Sequence, residues 1–158
     1  MLAGGEDINF IARRIVICAA EDVGNAAPMA LVLANAAAQA AQFVGLPEAR
    51  IPLAQAVTYI ASAPKSNAAY LAVDAAIADV KSKDCGDVPI HLRDTSYKGS
   101  KFFHNGEGYL YPHDFDNHFV KQQYLPDKMI NAHYYKPTDN GVEARLKENL
   151  QKLWQKEY

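Results

Sequence analysis

Apolar residues in the first half of the chain recur with the spacing of one helical face, and glycine or proline separates successive runs. This pattern predicts four α-helices of about four turns each. Short links between such helices favour packing as antiparallel neighbours. The first helix is predicted to begin at Glu6–Asp7, and the following boundaries fall at Gly24, Gly45, Pro47 or Pro52, and Ala63–Pro64.

Polar residues mark where two of these helices are expected to begin. Asn25 is the predicted N-cap of the second helix, with Pro28 tolerated in its first turn. Ser66 is the predicted cap of the fourth helix. Apolar residues with helical spacing form one stripe of the fourth helix, and they are Tyr70, Val73, Ile77 and Val80.

The second predicted helix is distinctive because its middle, residues 34–41, contains no charged residue. A helix that is apolar on every side is normally buried on every side. In a domain of this size, two interpretations remain: a central core helix, or a surface that another subunit covers. Alanine dominates this helix, and its small side chain lets helix axes approach to about 8 Å.

The character of the sequence changes after Lys83. Residues 84–138 have no sustained helical period, yet they are rich in aromatic residues, which disordered segments usually lack. We therefore expect an ordered irregular segment held by its aromatic side chains, with short helical turns near residues 89–93 and 117–123. A last helix is predicted in residues 139–158, where Asn140 and Glu143 resemble a capping box.

Together these elements predict an all-α fold in one domain. It would comprise an alanine-rich helical bundle (1–83), an aromatic-rich irregular segment (84–138) and a C-terminal helix (139–158). The composition supports this division, because 24 of the 26 alanines lie in the first 78 residues. All five histidines and 12 of the 16 aromatic residues follow residue 80.

Charge and cysteine content exclude several classes of protein. The net charge of −2 argues against a strongly basic nucleic-acid-binding module. No apolar run is long enough to span a bilayer, so no membrane partner is expected. Cys18 and Cys85 make no disulfide framework, which indicates a reduced compartment.

No catalytic motif is recognisable in the chain. The sequence lacks the G-x-x-x-x-G-K-[ST] loop that holds nucleotide phosphates and the G-x-S-x-G turn of a nucleophilic serine. Cys18 lies in an apolar run and is interpreted as a small buried hydrophobe. One cluster has metal-binding side chains, although its spacing is poor, so a metal-dependent enzyme is a remote alternative; the cluster consists of His113, Asp114, Asp116 and His118.

A segment with interleaved basic and aromatic residues is the more plausible functional feature. Cations bind phosphates and aromatic rings stack on bases, which are the two requirements of single-strand recognition. The competing interpretation is a solvated loop edge beside rings that only pack. The candidate nucleic-acid contacts are Arg93, Lys98, Lys101 and Lys121, beside Tyr97, Phe102 and Phe103.

Several strings of the sequence occur together in one protein family. They are Gly5–Asp7 with Phe10–Arg14, Glu21–Gly24, Pro47–Gln55, Ala63–Asn67, Val88–Asp94, Tyr111–Asp114 and Tyr134–Gly141. In this order they closely resemble the C-terminal region of the replication-associated recombination protein A family. These proteins are bacterial AAA+ ATPases of the clamp-loader clade and are related to the eukaryotic Werner-helicase-interacting protein. The resemblance extends from about Gly4 to Trp154.

The resemblance implies a helical, clamp-loader-collar-like region that assembles its parent protein into a homotetramer. It also implies that this chain is a fragment without a cofactor, and that the ATPase core, with ATP and Mg, lies N-terminal to it. The parent is expected to act at stalled replication forks, to bind DNA ends and to work with single-strand-binding protein. Its expected location is the bacterial cytoplasm, associated with the nucleoid.

Overall fold

The computed structural model describes residues 1–155, apart from the side chain of Lys101. Within these residues the regular structure is helical and no strand occurs, which confirms the predicted all-α fold. The predicted C-terminal helix extended to Tyr158, and residues 156–158 lie outside the described part. The five α-helices are α1 (Ile8–Cys18), α2 (Met29–Val44), α3 (Arg50–Ser62), α4 (Ala68–Ser82) and α5 (Glu143–Trp154).

The chain forms two compact units. The first contains residues 1–74 together with the chain from Tyr135 onward, and the second contains residues 75–134. Helices α1, α2, α3 and α5 belong to the first unit, whereas α4 begins in the first and ends in the second. The second unit beyond α4 consists of irregular backbone with short 3-10 turns, including Ile90–Leu92 and Asp116–His118.

The first helix begins and ends where the sequence predicts. The Asp7 carboxylate accepts a hydrogen bond from the Phe10 N–H at 2.9 Å, which caps the helix. The helix continues through a π-helical turn, Ala19–Val23, and stops at Gly24, whose φ is +50°. A Cβ at Gly24 would lie 2.4 Å from the Ser66 carbonyl oxygen, so only glycine permits this close approach.

The core of the first unit is built mainly from alanine. Helix α2 packs against both α1 and α3, and small side chains at these contacts let helices approach closely. Aliphatic residues of α1 and α3 fill the remaining volume. The principal buried residues are Ile11, Ala12, Ile15, Ala30, Ala34, Ala37, Ala41, Leu53, Ala56 and Ile60.

The predicted cap of α4 is confirmed, whereas that of α2 is wrong. The Ser66 hydroxyl accepts a hydrogen bond from the Ala68 N–H at 3.3 Å. Helix α2 instead begins after Pro28 without a side-chain cap. The Asn25 side chain makes a contact distant in sequence, donating to the Tyr135 hydroxyl at 2.9 Å. A local capping pattern cannot reveal such a long-range partner.

The predicted capping box at the start of α5 is also wrong. The Asn140 side chain donates to the Lys65 carbonyl oxygen at 2.9 Å, in the link between α3 and α4. The Glu143 side chain is buried and does not cap the helix. Lys147, four residues further along α5, binds Asp139, with a distance of 2.9 Å between Nζ and Oδ1.

None of the described helices combines the length and the apolar character that crossing a membrane requires.

Candidate functional site

Helix α2 has a buried face of alanines and an exposed face of larger apolar residues. The buried positions are Ala30, Ala34, Ala37 and Ala41. On the exposed side, Met29 is 58% exposed, Val32 60% and Phe43 91%. The helix contains no ionisable side chain over its 16 residues. Of the two sequence interpretations, burial as a central core helix is therefore wrong for this chain alone.

Helix α4 also exposes the apolar stripe that the sequence predicts. Tyr70, Val73, Ile77 and Val80 are between 41% and 68% exposed. The only buried residue of the helix is Ala68, at its beginning. The apolar stripe of α4 is therefore open to solvent in a single chain.

A buried carboxylate ties the C-terminal segment into the first unit. Glu143, the first residue of α5, is fully buried. Its Oε1 accepts a hydrogen bond from the Tyr135 hydroxyl at 2.6 Å, and its Oε2 accepts from the Thr138 hydroxyl at 2.6 Å and N–H at 3.1 Å. Since the Tyr135 hydroxyl also accepts from Asn25, this network links three parts of the chain.

The protonation states in this network follow from its contacts. Burial alone would raise the pKa of Glu143, but hydrogen bonds from Ser66, Thr138 and Tyr135 outweigh it and hold that pKa below its usual value. Burial, followed by the bond to Glu143, raises the pKa of Tyr135 to about 12. At neutral pH the site is therefore a carboxylate surrounded by neutral hydrogen-bond donors. This network has a structural role.

A surface pocket of the first unit lies near this network. Within it, Lys65 Nζ donates to the carbonyl oxygens of Ile60 (2.5 Å) and Ala63 (2.6 Å) at the end of α3. A hydrogen bond with Asp22, and then burial, raises the pKa of the Cys18 thiol, which is the opposite of what activates a nucleophile. The pocket is lined by Cys18, Asp22, Lys65, Ser66, Asn67, Thr138 and Asn140.

The four candidate nucleic-acid contacts lie in the second unit, in different environments. The Arg93 guanidinium already binds two groups of the chain. Its Nε donates to the Val88 carbonyl oxygen at 2.7 Å, and one Nη lies 3.6 Å from Asp87. Lys98 is exposed in a turn, and Lys121 is exposed in irregular backbone. Lys101 lies in the 3-10 turn Ser100–Phe103, but its side chain lies outside the described part.

The aromatic side chains of this segment are largely open to solvent. Phe102 is 81% exposed and Phe103 58%, and their rings meet edge to face with centroids 5.3 Å apart. In the same turn the Ser100 hydroxyl donates a hydrogen bond to the Thr95 carbonyl oxygen at 3.0 Å. We define Lys98–Phe103 as the basic–aromatic turn.

The histidine cluster contains neighbouring rings whose planes are tilted by 44–45° to one another. The centroids of His113 and His118 are 4.8 Å apart, and Tyr111 lies 5.1 Å from His113. In the part of the chain that the structure describes, no group of three or more histidine, cysteine or acidic residues could hold a metal ion. The contacts at His113 therefore lend no support to the alternative of a metal-dependent enzyme.

The comparison with known proteins gives one family match over almost the whole chain. Residues 1–154 match the model described as MgsA AAA+ ATPase C terminal. The chain is 49% identical to replication-associated recombination protein A of Bacillus subtilis over 148 residues, which are 93% of the chain and 35% of that protein.

Two further relatives also match nearly the whole chain with about a third of their own length. The chain is 47% identical to the uncharacterized AAA domain-containing protein Rv2559c of Mycobacterium tuberculosis, over 97% of the chain and 34% of that protein. It is 42% identical to replication-associated recombination protein A of Escherichia coli K12, over 94% of the chain and 33% of that protein. The chain spans about a third of the length of these curated relatives.

Proposed function

Because the chain belongs to the MgsA AAA+ ATPase C-terminal family, we propose that it is the homotetramerisation domain of such an ATPase. Its membership confirms the resemblance found in the sequence. The name of the Bacillus subtilis relative refers to replication and recombination. The parent protein would accordingly act at stalled replication forks, in the bacterial cytoplasm and close to the nucleoid.

The observation that carries this proposal is the exposed face of α2. Phe43 is 91% exposed on a helix without any ionisable residue. An apolar face of this kind is typical of a surface that a protein partner covers. Obligate interfaces resemble a divided hydrophobic core, and a second copy of the chain supplies an equally apolar face.

ATP hydrolysis belongs, in this proposal, to the rest of the parent protein. The phosphate-binding loop motif does not occur in these 158 residues, and the Cys18 thiol is not activated. The parent would bind ATP and Mg in its AAA+ core and would engage DNA and single-strand-binding protein. The role of this chain would be to bring the cores together.

Sedimentation equilibrium of the 158-residue chain tests the proposed assembly. We expect a particle with four times the mass of one chain at tens of micromolar protein. Because the association would be apolar, we expect the mass to change little between 0.05 and 0.5 M salt, where electrostatic contacts weaken. A single species with the mass of one chain across this concentration range would contradict the proposal.

A DNA-contacting module is the second candidate function, and exposed rings favour it. Phe102 and Phe103 are exposed on the basic–aromatic turn, which also contains the exposed Lys98. Aromatic rings next to a cation are the arrangement that single-stranded nucleic acid requires. Lys101 and Lys121 are the further phosphate contacts that the sequence predicts. Arg93 would contribute little, because it already binds Val88 and Asp87.

Fluorescence anisotropy with a labelled oligothymidylate tests this second candidate. We expect Phe102→Ala to weaken binding at least about five-fold, because stacking of one base on a ring contributes about 1–3 kcal/mol. Lys98→Ala should reduce the magnitude of the log–log salt slope by about 0.7. Lys152→Ala, an exposed change on α5, is the control. If all three variants and the original chain bind the oligothymidylate equally, the DNA-contacting function is wrong.

A further inference from the structure

The exposed face of α2 has the spacing of an interhelical seam. Its outward residues are separated alternately by three and four positions, opposite the buried alanines. This is the spacing with which one helix packs along another. The seam consists of Met29, Val32, Ala36, Gln39 and Phe43, all of which are exposed.

Helix α2 buries its small apolar residues and exposes its large ones, which is the opposite of an ordinary surface helix. Inside the chain the helix presents only alanine at its four buried positions. Outside it presents Met29, Val32 and Phe43, which are the larger side chains and are 58–91% exposed. An amphipathic helix on a protein surface normally keeps its large apolar residues inside. The seam is therefore the face with the greater capacity to bury apolar area.

We propose that this seam binds the same seam of a second copy of the chain, across a two-fold axis. The inference rests on the proposed function and specifies its contact surface. A two-fold contact is self-complementary, because the same surface serves both partners. Since α2 contains no ionisable residue, the pairing places no charge in a water-free environment.

The polarity of the helix favours an antiparallel arrangement. A helix carries partial positive charge at its N-terminus and partial negative charge at its C-terminus. In an antiparallel pair, the Met29 end of each helix lies beside the Phe43 end of the other, so unlike partial charges meet. Ala36 lies midway between these ends, where its small side chain allows the axes to approach to about 8 Å.

The length of α2 indicates how far the contact extends. Sixteen residues form a helix about 24 Å long, whereas a stable interface buries about 800 Å² on each partner. The helix pair would therefore be the centre of a larger contact. Val44 and Leu46, which are 47% and 63% exposed at the end of α2, continue the apolar surface.

A charge placed in the seam tests the proposal. Sedimentation of Val32→Glu should give a particle of lower mass, with an association at least about 100-fold weaker, because each copy would bury an unpaired carboxylate. The matched control is Val57→Glu, a similarly exposed valine on α3, which should change the association less than about three-fold. Val73→Glu places the same charge on the exposed face of α4, and it tests whether that face carries the contact instead.

Chemical cross-linking provides a second measurement that does not depend on weakening the assembly. In a chain with Cys18→Ser and Cys85→Ser, we expect Ala36→Cys to be joined into covalent dimers by a short bismaleimide. Ala61→Cys, an exposed position on α3, should remain largely uncoupled under the same conditions. Circular dichroism would verify that each variant keeps its helical content.

The outcomes separate this inference from the proposed function. If the original chain is a monomer, both are wrong. If it assembles, but Val32→Glu leaves its mass unchanged and Ala36→Cys is not cross-linked, the α2 seam is wrong and oligomerisation stands. Dissociation by Val73→Glu, without an effect of Val32→Glu, would assign the contact to α4 instead.

Discussion

Gly141→Ala is expected to destabilise the first unit by about 3–5 kcal/mol. Gly141 has a φ of +56°, which an alanine adopts only at a cost of about 1 kcal/mol. An added Cβ would lie 2.1 Å from the Ala26 carbonyl oxygen and 2.7 Å from Pro64. The backbone at residue 141 cannot move away from Ala26 freely, because the Val142 N–H donates a hydrogen bond to that same Ala26 oxygen at 2.8 Å.

Gly5→Ala is the matched control for this prediction. Gly5 also has a positive φ, +82°, but an added Cβ meets nothing within 4 Å. Its replacement by alanine should lower the free energy of unfolding by about 1 kcal/mol, because of the backbone conformation alone. Thermal unfolding, followed by circular dichroism at one protein concentration, would compare the variants. Equal unfolding temperatures for Gly141→Ala and Gly5→Ala would show that the close approach at Ala26 is unimportant.

Glu143→Gln is expected to cost about 2–4 kcal/mol of stability, although it preserves the size of the side chain. An amide accepts at only one of its two ends, so it cannot serve both Tyr135 and Thr138 as the carboxylate does. The Tyr135 hydroxyl already accepts from Asn25. If the amide nitrogen faces this hydroxyl, the tyrosine proton loses its acceptor in a buried environment.

Glu148→Gln, on the exposed side of α5, is the control for this change and should alter stability by less than about 0.5 kcal/mol. Urea unfolding of both variants provides the comparison. A loss of stability for Glu143→Gln no larger than for Glu148→Gln would contradict the role assigned to the buried network.

Acid unfolding should depend on the same carboxylate. The pKa of Glu143 is lower in the folded chain than its usual value. Its contribution to stability is therefore complete above the unfolded pKa of about 4.3, and it is lost as pH falls through the lower folded pKa. The stability of Glu143→Gln relative to the original chain should recover as pH decreases below about 4.3. A difference independent of pH would be inconsistent with a buried ionised group.

The helices of the first unit could be predicted because their signals are local. The Asp7 cap, the stop at Gly24 and the cap at Ser66 each depend on neighbours within a few residues. Periodicity then placed the remaining boundaries to within a few residues. The predicted division into segments 1–83, 84–138 and 139–158 remains a prediction about domains.

The long-range contacts could not be predicted, because nothing in the local sequence encodes the partner. Asn140 and Glu143 have the spacing of a capping box, yet one binds Lys65 and the other binds Tyr135 and Thr138. The same limit applies to Asn25, whose partner is 110 positions away. For Asn25 and Asn140 a hydrogen bond to a partner 110 and 75 positions away replaced the local one, whereas Glu143 binds residues five and eight positions before it, outside the capping pattern.

The candidate site was predicted only in part, for a related reason. Sequence periodicity identified apolar faces on α2 and α4, but it does not state whether protein or solvent covers a face. The exposure of Phe43 and Val73 is therefore information that only the structure supplies. The charge of Arg93 is evident from the sequence, but its bonds to Val88 and Asp87 are not.

The discontinuity of the first unit has a consequence for its synthesis on the ribosome. Helices α1, α2 and α3 emerge early, but Tyr135 and Glu143, which complete the unit, follow only after the 60 residues of the second unit, 75–134. At about 5–20 residues per second, this delay amounts to about 3–12 seconds. During that interval the apolar side chains of the nascent helices are available to chaperones.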